Sequence, residues 1–338
     1  MSAIGTGAAI FGCEGAVLGR NEAAFFRDFD PFGFIIFARN VETPDQLRRL
    51  TADLRGTVGR DAPVLVDQEG GRVQRLRAPH WREWLPPLDT VEQAGKSAAR
   101  AMWIRARLIS AELRAVGIDA NCAPVADIAG PLTHPFLRNR CYGQDVDTVV
   151  EMARAVADGH LAGGVLPVVK HMPGHGRSQN DTHLDLPSVG VPRSDLAATD
   201  FAPFRALADL PMAMTAHIVF SAYDNRPATQ SPAMIAVIRN EIGFQGLLMT
   251  DDLNMQALSG DLGSRTALSM AAGCDIALHC KGDLDEMQAV AAAAGTMTAA
   301  TRARAEAALA RRHAPEAVDI AALQAEFSAL IAAGDAHG

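Results

Sequence analysis

Residues 170–183, KHMPGHGRSQNDTH, place one lysine, three histidines and one aspartate within fourteen positions of the chain. They follow the apolar run 165–169, so the pattern predicts a buried strand that ends in charged groups, followed by a polar loop containing Gly and Pro. Strand ends and the loops behind them are where parallel α/β enzymes keep their chemistry. We therefore expect catalytic residues here.

His183 is the candidate acid/base of this segment. An unperturbed imidazole has a pKa of about 6.5, so it can both donate and accept a proton near neutral pH. Asp181 lies two residues before His183 and can accept one imidazole N–H, which would orient the ring. The other ring nitrogen could then protonate a leaving group and later take a proton from water.

Asp251 is the candidate nucleophile, because it follows a second apolar run, residues 247–250. A carboxylate that attacks an anomeric carbon forms a glycosyl-enzyme, as in the double displacement of retaining glycosidases. Alternation along a strand cannot by itself choose between Asp251 and its neighbour Asp252. In this interpretation Lys170 and His171 bind sugar hydroxyls and lower the pKa of the carboxylate.

The same loop has a second interpretation as a metal site. Zinc and iron accept the ligand types that it offers, namely His171, His175, Asp181 and His183. However, Pro173 and the glycines make the loop irregular, and no helical i,i+4 pair fixes a coordination geometry. The sequence favours acid/base chemistry with no metal and no cofactor, and it leaves a metal-dependent hydrolase barrel and a purely structural loop as alternatives.

Eight short apolar runs alternate with amphipathic, helix-like stretches along the chain. The runs are residues 8–11, 34–37, 64–66, 118–123, 167–169, 212–216, 247–250 and 276–278. Strands that alternate with helices pair in parallel, and no Gly/Ser-rich linker divides them, so the sequence predicts a single (β/α)8 TIM-type barrel of α/β class spanning residues 1–338. Residues 283–338 are Ala-rich and predict two or three C-terminal helices packed on the barrel.

Polar side chains follow seven of these runs. In a barrel the carboxyl ends of the strands converge on one mouth, so we expect these side chains to share a site. They are Arg39, Asn40, Asp67, Asp127, Lys170, His171, His217, Asp251, Asp252 and His279.

The sequence also indicates where two helices begin. Thr43-Pro44 predicts an N-cap and first-turn proline for a helix through Leu54, and Ser231-Pro232 repeats the signal.

Composition excludes several classes of function. The net charge of −8 argues against a nucleic-acid or anionic-membrane surface. The five cysteines form no C-x-x-C pair, and no stretch reaches the ~18 apolar residues that span a bilayer. Residues 1–9 lack the basic and apolar segments of a signal peptide, so we expect a cytoplasmic enzyme. No complete P-loop, dinucleotide fingerprint or G-x-S-x-G elbow occurs.

Five segments resemble, in the same order, the motifs of family-3 glycoside hydrolases, and more narrowly the bacterial cytoplasmic β-N-acetylglucosaminidases of peptidoglycan recycling. Residues 170–183 resemble the family signature K-H-x-P-G-H-G-x4-D-T-H. The others are VDQEGGRVQR at 66–75, NCAPVAD at 121–127, NRCYG at 139–143 and TDDLNM at 250–255. The sequence departs mildly at Cys141-Tyr142, where the family usually has Ser-Phe. The match spans roughly residues 8–280.

The resemblance implies a role for each matched residue. It implies Asp251, and not Asp252, as nucleophile, and His183 as acid/base supported by Asp181. The N-acetylglucosaminyl ring would be held by Asp67, Arg75, Arg140, Lys170 and His171. Some relatives have a second domain that supplies a glutamate acid; 338 residues leave no room for it, so the proton donor is expected in the barrel's own loops.

The implied function is a retaining β-N-acetylglucosaminidase (β-hexosaminidase). Its saccharide substrates would be N-acetylglucosaminyl-anhydro-muramyl peptides from cell-wall turnover, and it would use no cofactor. We expect a monomer without nucleic-acid or membrane partners. The alternatives are an N-acetylglucosaminide phosphorylase, a broader-specificity β-glycosidase and a non-catalytic sugar-binding barrel.

Overall fold

Eight parallel strands form a closed barrel in the computed structural model, which describes residues 4–178 and 186–335. Each predicted run contributes one strand: β1 (Gly7–Gly12), β2 (Pro31–Ile36), β3 (Val64–Val66), β4 (Ala120–Asn121), β5 (Leu166–Met172), β6 (Met212–Thr215), β7 (Leu247–Asp252) and β8 (Ile276–His279). Neighbouring strands follow chain order, and β8 closes on β1 where Phe11 pairs with His279. The prediction of a (β/α)8 barrel is confirmed.

The strands are buried on both faces, which explains why they appear in the sequence as continuous apolar runs. Alternate side chains divide between two cores. Ile10, Leu65 and Val168 belong to the cluster that fills the barrel. Their neighbours Phe11 and Val169 belong to the larger cluster beneath the surrounding helices. This double burial holds the strand ends in fixed positions around the mouth.

Helices cover the outside of the barrel. They are α1 (Arg20–Phe29), α2 (Pro44–Val58), α3 (Pro87–Ala94), α4 (Ala98–Arg114), α5 (Pro135–Arg138), α6 (Val146–Ala162), α7 (Arg193–Ala198), α8 (Ala202–Ala206), α9 (Pro232–Ala236), α10 (Leu262–Ala272), α11 (Leu284–Ala294), α12 (Ala299–Ala310) and α13 (Ile320–Asp335). Both predicted N-caps are confirmed, since the side chain of Thr43 accepts from the Gln46 N–H and that of Ser231 from the Met234 N–H. Helix α2 continues past its predicted end at Leu54 to Val58.

As far as residue 335, the Ala-rich C-terminal region forms three helices, α11, α12 and α13, as predicted. Helix α12 is joined to the barrel by Arg304, whose guanidinium binds the buried carboxylate of Asp275 at 2.6 Å. Helix α13 packs against α3 and α4. There Phe327 meets the ring of Trp84 edge-on at 5.6 Å.

The segment after β3 turns back on itself before it joins α3. Residues Gln68–Gly70 and Val73–Gln74 pair in an antiparallel hairpin. Gly70 and Gly71 have φ angles of +104° and +59°, and a Cβ at Gly70 would collide with the Arg105 guanidinium. This turn carries Arg72 and returns Arg75 to the barrel mouth. Among the described residues, no helix has both the length and the apolar character needed to cross a bilayer.

Candidate active site

A cavity of about 340 Å³ opens at the carboxyl end of the barrel. Eight residues of its lining are candidates from the sequence, as site residues, possible metal ligands or strand-end groups: Asp67, Arg75, Arg140, Lys170, His171, His175, Asp251 and Asp252. Strand β5 runs past its predicted end at 169 to Met172, so Lys170 and His171 lie on the strand itself. The barrel thus brings together side chains from β5 and β7 and from the loops that follow β3 and β4.

Asp67 lies between two cations. Its Oδ1 accepts from Lys170 Nζ at 2.9 Å, and its Oδ2 accepts from Arg75 Nη2 at 3.0 Å. Burial alone would raise the pKa of Asp67, but the charges of Lys170 and Arg75 lower it well below its ordinary value. Asp67 is therefore a fixed anion that can accept hydrogen bonds from sugar hydroxyls.

Glu69 is a member of this cluster to which the sequence interpretation assigned no role. Arg140 donates to both of its oxygens, from Nε at 2.9 Å and from Nη2 at 2.8 Å. Lys170 Nζ lies 2.6 Å from Glu69 Oε1. Burial opposes ionisation, but Arg140 and Lys170 lower the pKa of Glu69 to about 2. The spacing of Asp67 and Glu69 was a usable signal, because side chains two residues apart in an extended segment face the same way.

Asp127 orients His171 from below the cavity. Its Oδ2 lies 2.7 Å from His171 Nδ1, and its Oδ1 accepts from the backbone N–H of His175 at 2.7 Å. Burial raises the pKa of Asp127, but His171 lowers it below its ordinary value. With the Nδ1 proton directed at Asp127, His171 Nε2 can accept from Arg140 Nη2 at 3.4 Å.

His175 also lines the cavity, with its ring centroid 5.5 Å from that of His171. Burial and the neighbouring His171 lower the pKa of His175 to about 3, so its ring is neutral at physiological pH. Among the described residues, no group of three or more His, Cys, Asp or Glu side chains could hold a metal ion. Two members of the candidate metal set, Asp181 and His183, lie outside the described residues, as does the acid/base pair that they would form.

Asp251 and Asp252 occupy different environments at the end of β7. Asp251 Oδ1 accepts from the backbone N–H of Asp252 at 2.8 Å. Burial would raise the pKa of Asp251, but His171 and His217, assisted by Lys170, lower it below its ordinary value. Burial and the adjacent Asp251 charge instead raise the pKa of Asp252 to about 6. Asp251 is therefore the more readily ionised of the two carboxyls.

Asp252 joins the ends of two strands. Its Oδ1 accepts from the backbone N–H groups of Asn254 and Cys280, both at 3.2 Å. Its backbone carbonyl accepts from His217 Nε2 at 3.0 Å, while His217 Nδ1 lies 2.8 Å from the Thr229 hydroxyl. These contacts hold Asp252, the residue whose backbone N–H binds the Asp251 carboxylate.

A buried hydrogen-bonded chain supports the hairpin from behind. Asn121 Oδ1 accepts from the Gln68 N–H at 3.0 Å, and Asn121 Nδ2 donates to the Gln68 carbonyl at 3.1 Å. His160 Nε2 lies 3.1 Å from the same amide nitrogen, and burial lowers the pKa of His160 to about 3, so its ring is a neutral acceptor. The Gln68 side chain in turn accepts from the Arg75 N–H at 2.9 Å. The chain holds Asp67, Glu69 and Arg75 in register.

The expectation that all strand-end polar groups line one mouth is wrong for five of them: Arg39, Asn40, Asp127, His217 and His279 are absent from the cavity wall. Arg39 and Asn40 donate to the Cys13 carbonyl and stabilise the loop after β1. Asp127 binds the ring of His171, and His217 binds the backbone carbonyl of Asp252, so each supports a residue that lines the cavity. His279 is buried against Phe11 in the outer core.

Comparison with known proteins gives a consistent result. The model of the glycosyl hydrolase family 3 N terminal domain matches residues 22–312. A β-hexosaminidase of Alkalilimnicola ehrlichii is 38% identical over 285 residues, covering 81% of this chain and 80% of the relative.

Two solved structures are also similar. NagZ from Neisseria gonorrhoeae, in complex with N-trifluoroacetyl-D-glucosamine, aligns with a TM-score of 0.83 and 29% identity over 98% of both chains. A family 3 β-N-acetylglucosaminidase from Paenibacillus sp. aligns with a TM-score of 0.85 and 27% identity. That alignment covers 97% of this chain and 66% of the other.

We expect Glu69→Gln to lower kcat/KM on an aryl N-acetylglucosaminide, the substrate class expected from the sequence, by about 100-fold. Removing the charge leaves Arg140 and Lys170 buried with one carboxylate fewer. The loss of one partner from a buried ion pair costs about 3 kcal/mol or more in the free energy of unfolding. Steady-state kinetics and a melting curve would separate lost function from lost fold. Glu83→Gln is the control, because Glu83 pairs with Arg77 at the exposed surface. Wild-type kinetics in a folded Glu69→Gln protein would exclude Glu69 from the site.

Proposed function

Because this chain belongs to family 3 of the glycoside hydrolases, we propose that it is a retaining β-N-acetylglucosaminidase that removes terminal, non-reducing N-acetylglucosamine. The observation that carries the proposal is the position of Asp251, a carboxylate with a lowered pKa that lines the cavity formed by Asp67, Lys170, His171 and Arg140. The chain's curated relatives bear the name β-hexosaminidase.

Substrate binding in this proposal depends on the charged cluster. Asp67 accepts hydrogen bonds from ring hydroxyls, while Lys170, Arg140 and Arg75 donate to hydroxyls or to the N-acyl group, and His171 binds a hydroxyl. These groups are paired before substrate arrives, and Lys170, Arg140 and His171 are also buried, so little reorganisation is needed when charge develops on the sugar. The mechanism uses no metal and no cofactor.

Chemistry proceeds in two displacements. A carboxylate oxygen of Asp251 attacks the anomeric carbon as its bond to the leaving oxygen breaks, and His183, oriented by Asp181, gives that oxygen a proton. Water then attacks the anomeric carbon and gives its proton to His183, while the bond to Asp251 breaks. Two inversions give net retention.

The proposal extends to the biological setting. The substrates are N-acetylglucosaminyl-anhydro-muramyl peptides from cell-wall turnover, and the enzyme works in the cytoplasm as a monomer. The chain acts as one catalytic domain, with the segment from about residue 283 packed on the barrel. The link between Arg304 and Asp275 and the packing of α13 on α3 and α4 support this arrangement.

The choice of substrate is tested with nitrophenyl β-N-acetylglucosaminide and nitrophenyl β-glucoside, each with and without phosphate. We expect the first to be hydrolysed about 100-fold faster or more, because a site that hydrogen-bonds the N-acyl group leaves polar groups unpaired when that group is missing. Equal rates would indicate a broader β-glycosidase. Acceleration by phosphate with release of a sugar phosphate would indicate a phosphorylase.

A slow fluorinated glycosyl substrate should leave a covalent adduct on Asp251, which peptide mass spectrometry would locate. Asp251→Ala should reduce turnover by several orders of magnitude, since the covalent route is lost, and its circular dichroism should match that of the wild type. A label on Asp252, or no label while turnover continues, would contradict the assignment.

His183→Ala should cost little in the glycosylation step with a dinitrophenyl leaving group, which departs without a proton, and orders of magnitude with a sugar leaving group. Deglycosylation should slow, because no base activates water. Azide needs no base, so it should restore that step and yield a glycosyl azide of β configuration. Asp181→Asn should show a weaker form of the same pattern. Equal losses for both leaving groups, without an azide product, would mean that the proton donor lies elsewhere.

A further inference from the structure

Four cationic side chains line the cavity, and one of them differs from the rest. Arg75, Arg140 and Lys170 each bind a carboxylate, from Asp67 or Glu69, within 3.0 Å. Arg72 is exposed, and it forms no ion pair with any residue of the described ranges 4–178 and 186–335. Its charge is therefore available to a group from outside this part of the chain.

Arg72 is nevertheless held in place. It lies at the turn of the hairpin after β3, where Gly71 adopts a φ of +59°. Its guanidinium carbon lies 3.4 Å from the centroid of the Phe136 ring, and Phe136, on α5, lines the same cavity. A cation over an aromatic face is attracted to the ring without using up its fork of N–H donors. Within the described residues, nothing occupies these donors, so they can bind a planar anion.

Arg72 lies at the mouth of the cavity, where the leaving group of a bound substrate would extend. Of the groups proposed to hold the terminal sugar, Lys170 and His171 are buried, and 15% of the Asp67 side chain is exposed. The cavity of about 340 Å³ is small. The rest of a longer saccharide must leave through the mouth. Arg72 is the exposed cation of that mouth among the described lining residues.

We propose that Arg72, supported by Phe136, forms a leaving-group subsite that selects substrates carrying a carboxylate on the sugar or aglycone released. This inference rests on the proposed function. An arginine fork and a carboxylate can form two parallel hydrogen bonds, which gives geometric selection as well as charge attraction. The exposure of Arg72 keeps the contact open to solvent and sensitive to salt.

The test uses two disaccharides that differ in a single group. One is N-acetylglucosaminyl-anhydro-N-acetylmuramyl-L-alanine, whose lactyl group is an amide as in the proposed substrates and whose alanyl carboxylate is free, and the other is the same compound as its alanine carboxamide. The measured quantity is the acid-to-amide ratio of kcat/KM, because effects common to both substrates cancel in it. Wild-type enzyme should favour the acid by about fivefold to tenfold, the range of an exposed but bidentate ion pair.

Arg72→Gln should reduce the acid-to-amide ratio to near one, and Arg72→Lys should give an intermediate ratio, since it keeps the charge but loses the fork. High salt should lower the wild-type ratio and leave that of Arg72→Gln unchanged. Arg49→Gln is the matched control, because Arg49 is an exposed arginine of α2 that does not line the cavity. It should keep the wild-type ratio.

Two outcomes would overturn the subsite. A wild-type ratio near one would show that no carboxylate is selected, and an unchanged ratio in Arg72→Gln would show that another group selects it. In both cases cleavage of the amide by the wild type would leave the proposed glycosidase function standing. Failure of the wild type to cleave either disaccharide or an aryl N-acetylglucosaminide would reject the function and the subsite together.

Discussion

The site depends on the ammonium group of Lys170, which lies within 3.0 Å of two carboxylates at once. Asp67 and Glu69 come from the hairpin after β3, and Lys170 comes from β5, so one buried charge joins two parts of the barrel. Burial works against the charge on every member. Mutual pairing reverses that penalty: Asp67 and Glu69 keep lowered pKa values, and the pKa of Lys170 is raised above its ordinary value.

A layer of uncharged contacts maintains this pairing. Asn121 binds both backbone groups of Gln68, the residue between the two carboxylates, and a neutral His160 supports Asn121 from behind. On the other side Asp127 fixes the ring of His171. None of these supporting side chains lines the cavity, yet each determines the direction of one that does. The rigidity of the site therefore comes from the barrel's double burial and from this polar layer.

Adjacent carboxyls at the end of β7 show how strongly position determines chemistry. Asp251 and Asp252 are the same residue type on neighbouring positions, but nearby histidines lower the pKa of the first, while burial and the charge of the first raise that of the second. Asp252 accepts from the backbone N–H of Cys280, directly after β8, and from that of Asn254 in the loop after β7, and its own N–H binds Asp251. Asp252 therefore holds the backbone beside Asp251, and the Asp251 carboxylate faces the cavity.

The sequence by itself determined the barrel, because eight apolar runs alternating with helices admit few other folds, and its motifs identified most of the charged side chains that line the cavity. Local patterns could not decide which polar strand ends face the mouth: His217 and Asp127 act through neighbours, and His279 joins the outer core. The spacing of Asp67 and Glu69 indicates that both side chains face the same way, but it could not reveal the partners of Glu69, because Arg140 and Lys170 are distant in the chain. Only the tertiary structure decided these points, because burial and charge pairing depend on which strands lie side by side.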